Sequence, residues 1–528
     1  MLISFAFPLL VFPATQQLHL DINGSSSGTD FGHSASRIGD LDGDGVDDIV
    51  VGAPREDRVG EDSGSVYFFS SASGAQLMRI DGAGADHFFG HSLAGLGDIN
   101  GDGVNDIAIS SRRDNSDGLL TGMVGVYSGA DGSLIHQFNS SVKWDRFAHI
   151  VVAAGDLDAD GIEDILIGAP NNDWSGPGSG SLTAWSGATG DRLHMLHGAN
   201  SWDLFGWSAA GVGDINNDGS DDFAVGAPRN DSAGPESGTV TVFSGATGAP
   251  LLSWHGQPQD GFGYSICAMG DANVDGQPDL AVGGLNYFST LTQKSGFVEI
   301  RTMTGNQELV MRLEQESRFE AFGSIIAAAG DLNGDGAADL MVGAPSAGDA
   351  GANGLASGSA RLFSGLSGGI IYRIDGDSTN DKLASSLVGL GDLNMDGFAD
   401  FLISEPGGNP NSNVYIYYSE PTATLAINNF IAGATATASV TGTHPNAPLT
   451  ILFTTKGFGS TTYPSGVHLD LAEPISVLGT QIADSSGNAT LSFQVPIGTS
   501  GVTTYFQGWS GGGPPPGSAT IAIKATIQ

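Results

Sequence analysis

The residues best suited to chemistry are oxygen donors spaced along one short loop. Asp40, Asp42, Asp44 and Asp48 stand at positions 1, 3, 5 and 9 of a nine-residue stretch, with Gly45 at position 6. Carboxylates at this spacing can wrap a single hard cation, and calcium takes six to eight oxygens at about 2.3–2.6 Å in irregular geometry. In that reading the four side chains give oxygens, Val46 at position 7 gives its carbonyl, and Gly45 makes the sharp turn that a side chain would disfavour.

The pattern returns six times. The copies are Asp98, Asn100, Asp102 and Asp106 around Val104; Asp156, Asp158, Asp160 and Asp164 around Ile162; and Asp214, Asn216, Asp218 and Asp222 around Ser220. Next come Asp271, Asn273, Asp275 and Asp279 around Gln277, then Asp331, Asn333, Asp335 and Asp339 around Ala337, and last Asp392, Asn394, Asp396 and Asp400 around Phe398. The first aspartates are 58, 58, 58, 57, 60 and 61 residues apart, a period that chance does not explain. Up to seven Ca²⁺ ions are therefore expected. An EF-hand is excluded, because that loop runs twelve residues to a bidentate Glu between helices, whereas position 12 here is Val51 or Ile109. Metal-free Asx turns are the plainer alternative, but carboxylates packed this closely would repel one another.

The elements that must hold these loops are strands. In the first period Phe31–Gly39 reads as strand one, Asp48–Pro54 as an apolar strand two stopped by proline, Gly64–Ser70 as strand three and Gln76–Gly82 as strand four. Four short strands per period, with turn signals between them, mean antiparallel sheet. Seven such periods make an all-β, seven-bladed β-propeller. The seventh period lacks a fourth strand, and residues 17–24 match Gln76–Gly82 well enough to complete it and close the ring.

Two further motifs frame each loop. Phe-Gly stands at 31–32, 89–90, 205–206, 262–263 and 322–323, with Phe147-Ala148 and Leu383-Ala384 as departures. Gly-Ala-Pro stands at 52–54, 168–170, 226–228 and 343–345; the second, fifth and seventh periods have Ser110-Ser111-Arg112, Gly283-Gly284-Leu285 and Ser404-Glu405-Pro406 instead. Together with the aspartate loop, these motifs resemble the FG-GAP repeat of integrin α-subunit propellers over residues 16–420. Integrin propellers carry the loop in only some blades; its presence in all seven resembles secreted bacterial FG-GAP proteins. The resemblance implies that all cation loops lie on one face of the ring. The opposite face would be built from loops 55–63, 112–120, 171–178, 229–236, 285–294 and 346–356. These carry Arg55, Asp57, Arg112, Arg113, Asp173, Trp174, Arg229 and Asp231. Asp57, Asp173 and Asp231 each follow a Gly-Ala-Pro by three residues and read as a repeated turn cap. Trp144, Trp174 and Trp202 are candidates for stacking on a glycan or protein partner, or for packing between blades.

The remaining sequence sets bounds. The net charge of −39 turns the surface away from nucleic acid and anionic membranes, and 23 of its carboxylates stand at positions 1, 3, 5 and 9 of the seven loops. A metal-free chain should be destabilised by that self-repulsion. Cys267 is the sole cysteine, so no disulfide framework exists. Residues 1–14 resemble the apolar core of a secretory signal without its basic start, and no stretch is expected to span a membrane. A secreted, cell-surface or periplasmic monomer is expected. Residues 421–528, poor in cation loops and rich in Ala, Thr and Ser, read as a small C-terminal β-sandwich. Gly508-Trp-Ser510-Gly-Gly512 matches a nucleophile elbow, but no histidine follows it in the chain. His33 and His91, each just after Phe-Gly, read as hydrogen-bonded strand residues. The expected function is calcium-dependent recognition, adhesion or scaffolding toward an extracellular partner. A lectin is the alternative, and a hydrolase or lyase on the ring face a lesser one; no catalytic residue is expected.

Overall fold

A computed structural model describes residues 15–24, 28–113, 121–140, 142, 144–285, 296–303, 308–314, 320–347, 356–407 and 412–420, together with nine strands beyond residue 420. The leader-like run of residues 1–14 and most of loops 112–120, 285–294 and 346–356 lie outside the described residues. The chain divides into two compact units, Gln16–Ser419 and one containing Glu420–Gln528.

The first unit is a seven-bladed propeller. Six sheets each contain four consecutive antiparallel strands; in blade one these are Ser34–Gly39, Asp48–Ala53, Ser65–Phe69 and Gln76–Asp81. The seventh contains Leu387–Gly391, Asp400–Glu405 and Asn413–Glu420, with Thr15–Asn23 hydrogen-bonded as its outer strand. Blade-to-blade packing carries the seal: Ile22, Phe31, Ile49 and Val51 share one core cluster with Leu390, Leu402, Val414 and Ile416. No described residue is helical, and no helix is long and apolar enough to cross a membrane.

The second strand of each blade is the most deeply buried. Asp48–Ala53, Asp164–Ala169, Asp222–Ala227 and Asp339–Ala344 are buried at every position. An all-round apolar strand suits a sheet with another sheet on each face. Strand one begins later than the sequence suggests, at Ser34 rather than Phe31. Phe31 and Gly32 form a turn, with φ +84° at the glycine and Phe31 only 2% exposed between blades.

The glycine of Gly-Ala-Pro has a steric reason. A Cβ on Gly52 would stand 2.2 Å from the carbonyl oxygen of Gly90, the Phe-Gly glycine of the next blade. Gly168, Gly226 and, at the equivalent place in the Gly-Gly-Leu of blade five, Gly283 meet Gly206, Gly263 and Gly323 in the same way. Ser34 Oγ caps that carbonyl of Gly90 at 2.7 Å. The two motifs thus form a latch between neighbouring blades.

In the second unit, Thr424–Asn428, Thr435–Thr441 and Ala489–Gln494 form one sheet, and Ser476–Ile482, Pro448–Thr454, Thr503–Ser510 and Ile523–Thr526 form another. Phe458–Thr462 and His468–Leu471 pair as a separate two-stranded sheet. Ser510 ends a strand, and the rest of its Gly-x-Ser-x-Gly motif beyond that strand lies outside the described residues.

Candidate metal centres and the opposite face

Each nine-residue loop joins strand one to strand two, and the strands are what shape it. The position-9 aspartate opens strand two, or in blade two stands just before it, and is fully buried in all seven blades: Asp48, Asp106, Asp164, Asp222, Asp279, Asp339 and Asp400. One of its oxygens accepts the N–H of position 2, as at Leu41 (2.8 Å), Leu157 (2.7 Å) and Leu393 (2.8 Å). The other reaches the end of strand three or the turn after it in six blades, accepting from Ser71, Gly129, Gly187, Gly245, Gly365 and Ser419. In blade five this second oxygen, Asp279 Oδ1, is buried with no partner.

The position-1 aspartate folds the loop around itself. Asp40 accepts from Gly43, Asp44 and Gly45, and the position-6 glycine N–H reaches Oδ2 of position 1 in all seven loops. Those donors hold the Asp40 carboxyl below the usual range, with Gly45 the strongest contributor. The position-5 aspartates accept the N–H of position 7, as Asp44 does from Val46 and Asp160 from Ile162.

In blades one and three the carboxylate oxygens of Asp40, Asp42 and Asp48, and of Asp156, Asp158 and Asp164, lie within 4.8 Å of one another. Asp44 and Asp160 stand outside those triplets. Where position 3 is asparagine, its amide turns toward a neighbouring acid: Asn100, Asn216 and Asn273 donate to the position-5 carboxylate, and Asn333 to Asp339. Two loops therefore gather three converging carboxylates, and four of the other five replace one with a donor amide.

Burial pushes the Asp48 and Asp279 carboxyls up to about 6 and those of Asp164, Asp339 and Asp400 up to about 7, and the other acids of each loop push the same way. Such groups have too little positive charge nearby. An all-oxygen donor set, a partnerless buried oxygen in blade five and converging acids in blades one and three fit a hard divalent cation.

On the other face, the strand two–three and four–one loops bring different chemistry together. Asp57, Asp173 and Asp231 are one turn cap repeated, accepting from Asp62, Gly178 and Glu236 at 2.7–2.8 Å. Trp144, Trp174 and Trp202 are 68%, 74% and 59% exposed, so none is packed away between blades; Trp174 stacks on His197 with centroids 4.7 Å apart. Trp202 borders a cavity of about 330 Å³ shared by blades three to five, with Arg146, Asn171, Trp207, Arg229 and Tyr264 in its wall.

Arg146, Trp207 and Tyr264 were not legible as site residues. The available signal was register: the residue after Phe-Gly, or after its variant Phe147-Ala148, is His33, His91, His149, Trp207 and Tyr264 in blades one to five. Their rings run side by side, with centroids 4.7–6.2 Å apart. His91 Nε2 lies 3.0 Å from Arg112 Nη1. Burial, with Arg112 and Arg146 adding to it, pulls the His149 imidazole down to about 3. Cys267 is free; its Sγ accepts the Ala328 N–H, and burial pushes the thiol up to about 11.

The FG-GAP repeat family model matches residues 31–69, 150–191, 205–243, 322–356 and 384–417. Integrin alpha-4 of Xenopus laevis is 31% identical over 160 residues, covering 28% of this chain and 15% of the relative. Integrin alpha-5 of Xenopus laevis is 29% identical over 228 residues (40% and 21%), and integrin alpha-V of Gallus gallus 30% identical over 214 (38% and 20%). The match thus spans about a fifth of those relatives' length. A quinohemoprotein alcohol dehydrogenase of Pseudomonas putida is 12% identical with a TM-score of 0.38, covering 77% of this chain and 79% of its own. With five repeats matched, the loops and both flanking motifs in place and the ring closed, the chain belongs to the FG-GAP-repeat β-propeller proteins.

Proposed function

We propose that the chain is a secreted or cell-surface recognition propeller, stabilised by calcium on one face and binding an extracellular protein or glycan with the other. Calcium would be held by side-chain oxygens at positions 1, 3, 5 and 9 of each loop, from Asp40, Asp42, Asp44 and Asp48 to Asp392, Asn394, Asp396 and Asp400. A bound ion supplies positive charge to buried acids that otherwise have too little; it stabilises the loop and does no chemistry in this reading. Tying down seven loops would stiffen the propeller that presents the opposite rim.

The observation that carries the reading is the blade three-to-five cavity. Trp202, Trp207 and Tyr264 offer flat apolar faces, and Arg146 and Arg229 offer guanidinium groups, on a chain with only 19 basic residues against 58 acidic ones. Aromatic and arginine side chains around a pocket are what binding hot spots are made of. The lectin alternative draws on the same walls, because sugar rings stack on indole. Kinship with integrin α-chains by sequence supports adhesion over catalysis.

The test is capture of ligands from native extracellular material and on a glycan array, using the full chain and the variants Trp207→Ala and Arg146→Ala. Loss of at least tenfold in binding, with the melting temperature unchanged, is expected. Undiminished binding by both variants would remove the cavity from the account.

A further inference from the structure

Blade seven breaks a pattern that its neighbours keep. Two residues before the entry aromatic of blades three to six stands a buried acid: Asp145, Asp203, Asp260 and Glu320. Each meets a donor from its own blade or entry loop. Asp145 accepts from Ser140 Oγ and Phe147 N–H, and Asp203 from Asn230 Nδ2 at 3.1 Å. Asp260 faces Arg312 at 3.8 Å, and Glu320 pairs with the buried Arg361 at 2.8 Å.

Asp381 holds that place in blade seven and is 1% exposed. Its Oδ2 accepts the Ser378 N–H, but its Oδ1 is buried with no partner. What it faces is more acid. Glu405, 6% exposed, occupies the slot that is alanine in every Gly-Ala-Pro, and Asp377 stands at the solvent edge. Carboxylate oxygens of Asp377, Asp381 and Glu405 lie within 4.8 Å of one another. Among the described residues no Arg or Lys forms an ion pair with any of the three. Tyr415, in the strand-three position that Arg361 fills in blade six, instead donates its hydroxyl to Glu405 at 2.6 Å.

We propose that this cluster is a further divalent-cation site, in blade seven, on the face opposite the nine-residue loops. Three carboxylates this close, two of them buried, need a counter-charge. Blades five and six provide one as arginine; blade seven has the converging acids, and one of them, Asp381, keeps a buried oxygen without a partner. An all-oxygen donor set selects a hard ion, Ca²⁺ or Mg²⁺ rather than a softer metal, and exposed Asp377 gives it a way in. Burial followed by mutual repulsion also pushes Glu405 up to about 7, as expected where that charge is missing.

The competing arrangement is one proton shared between Asp381 and Glu405, and a stoichiometry separates the two. The full chain, stripped of divalent ions, is dialysed to equilibrium against saturating Ca²⁺ and, separately, Mg²⁺, and bound ion per chain is counted. Glu405→Ala installs the residue found in other blades, and Asp377→Asn changes only an exposed side chain, so one variant remains if the other fails to fold. Each is expected to bind one ion fewer than the unaltered chain, whatever number the nine-residue loops take. In chelator, Glu405→Ala is expected to melt higher than the unaltered chain. Equal ion counts in all three proteins, with either metal, would overturn the site and favour the shared proton.

Discussion

The two faces of this propeller treat charge in opposite ways. On the loop face, one nine-residue pattern recurs seven times, and each position-9 carboxylate is buried and accepts the N–H of position 2. On the opposite face the partner of the buried entry acid changes along the ring: serine in blade three, asparagine in blade four, arginine in blades five and six, and in blade seven further acids. Repetition on one side and individuality on the other is how a repeat fold separates holding the ring from meeting a partner, since loops on a rigid scaffold are free to diverge.

The largest expected effect lies on the repeated face. Asp339→Ala removes the acceptor for the Leu332 and Gly365 N–H groups; two buried donors left bare should cost about 3 kcal/mol in chemical unfolding, even in chelator. On the varied face, Trp174→Ala deletes a side chain that is 74% exposed and should change stability by no more than about 0.5 kcal/mol. Similar losses for the two would erase the contrast.

Next in size is the response to pH, where the faces should have opposite signs. The position-9 carboxyls are raised to about 6 or 7 when no ion is bound, so between about pH 4 and 7 the folded chain holds more protons than the unfolded one. In chelator their contribution to stability is therefore full at about pH 4 and is lost as pH rises to 7. His149 is lowered to about 3; its contribution is full above about 6.5 and is lost as pH falls toward 3. Unfolding followed against pH should show both limbs, and His149→Phe should flatten only the acid one.

A smaller effect should divide the repeated face itself. Loops one and three have three converging acids, whereas loop two has Asn100 at the same position. Ligand charge tunes calcium affinity, so Asp42→Asn should weaken its site about tenfold and Asn100→Asp should tighten its own about tenfold, roughly 1.4 kcal/mol each. Calorimetric titration of the two variants reads this directly; identical affinities would mean that position 3 is not a ligand.

How much was legible in the sequence follows the same division. The blade count, the loops and the closing strand are local patterns repeated at a fixed period, and residues 17–24 match Gln76–Gly82 in sequence. The start of strand one in blade one is not legible, because Phe31 looks like a strand residue while Gly32 adopts a left-handed turn. Asp57, Asp173 and Asp231 were readable as caps because their register repeats. The cavity is not readable: Arg146, Trp207 and Tyr264 are each more than fifty residues from the next in sequence and meet only because blades three to five pack side by side. Glu405 was visible as a departure from Gly-Ala-Pro, but its meaning needed Asp381 beside it.

The central claim is that divalent ions hold the loop face together. Differential scanning calorimetry of the full chain in millimolar Ca²⁺, and again in chelator at matched ionic strength, tests it most directly. The account predicts that the propeller transition falls by roughly 10 °C or more on chelation and returns when Ca²⁺ is restored. A transition at the same temperature in both buffers would contradict it.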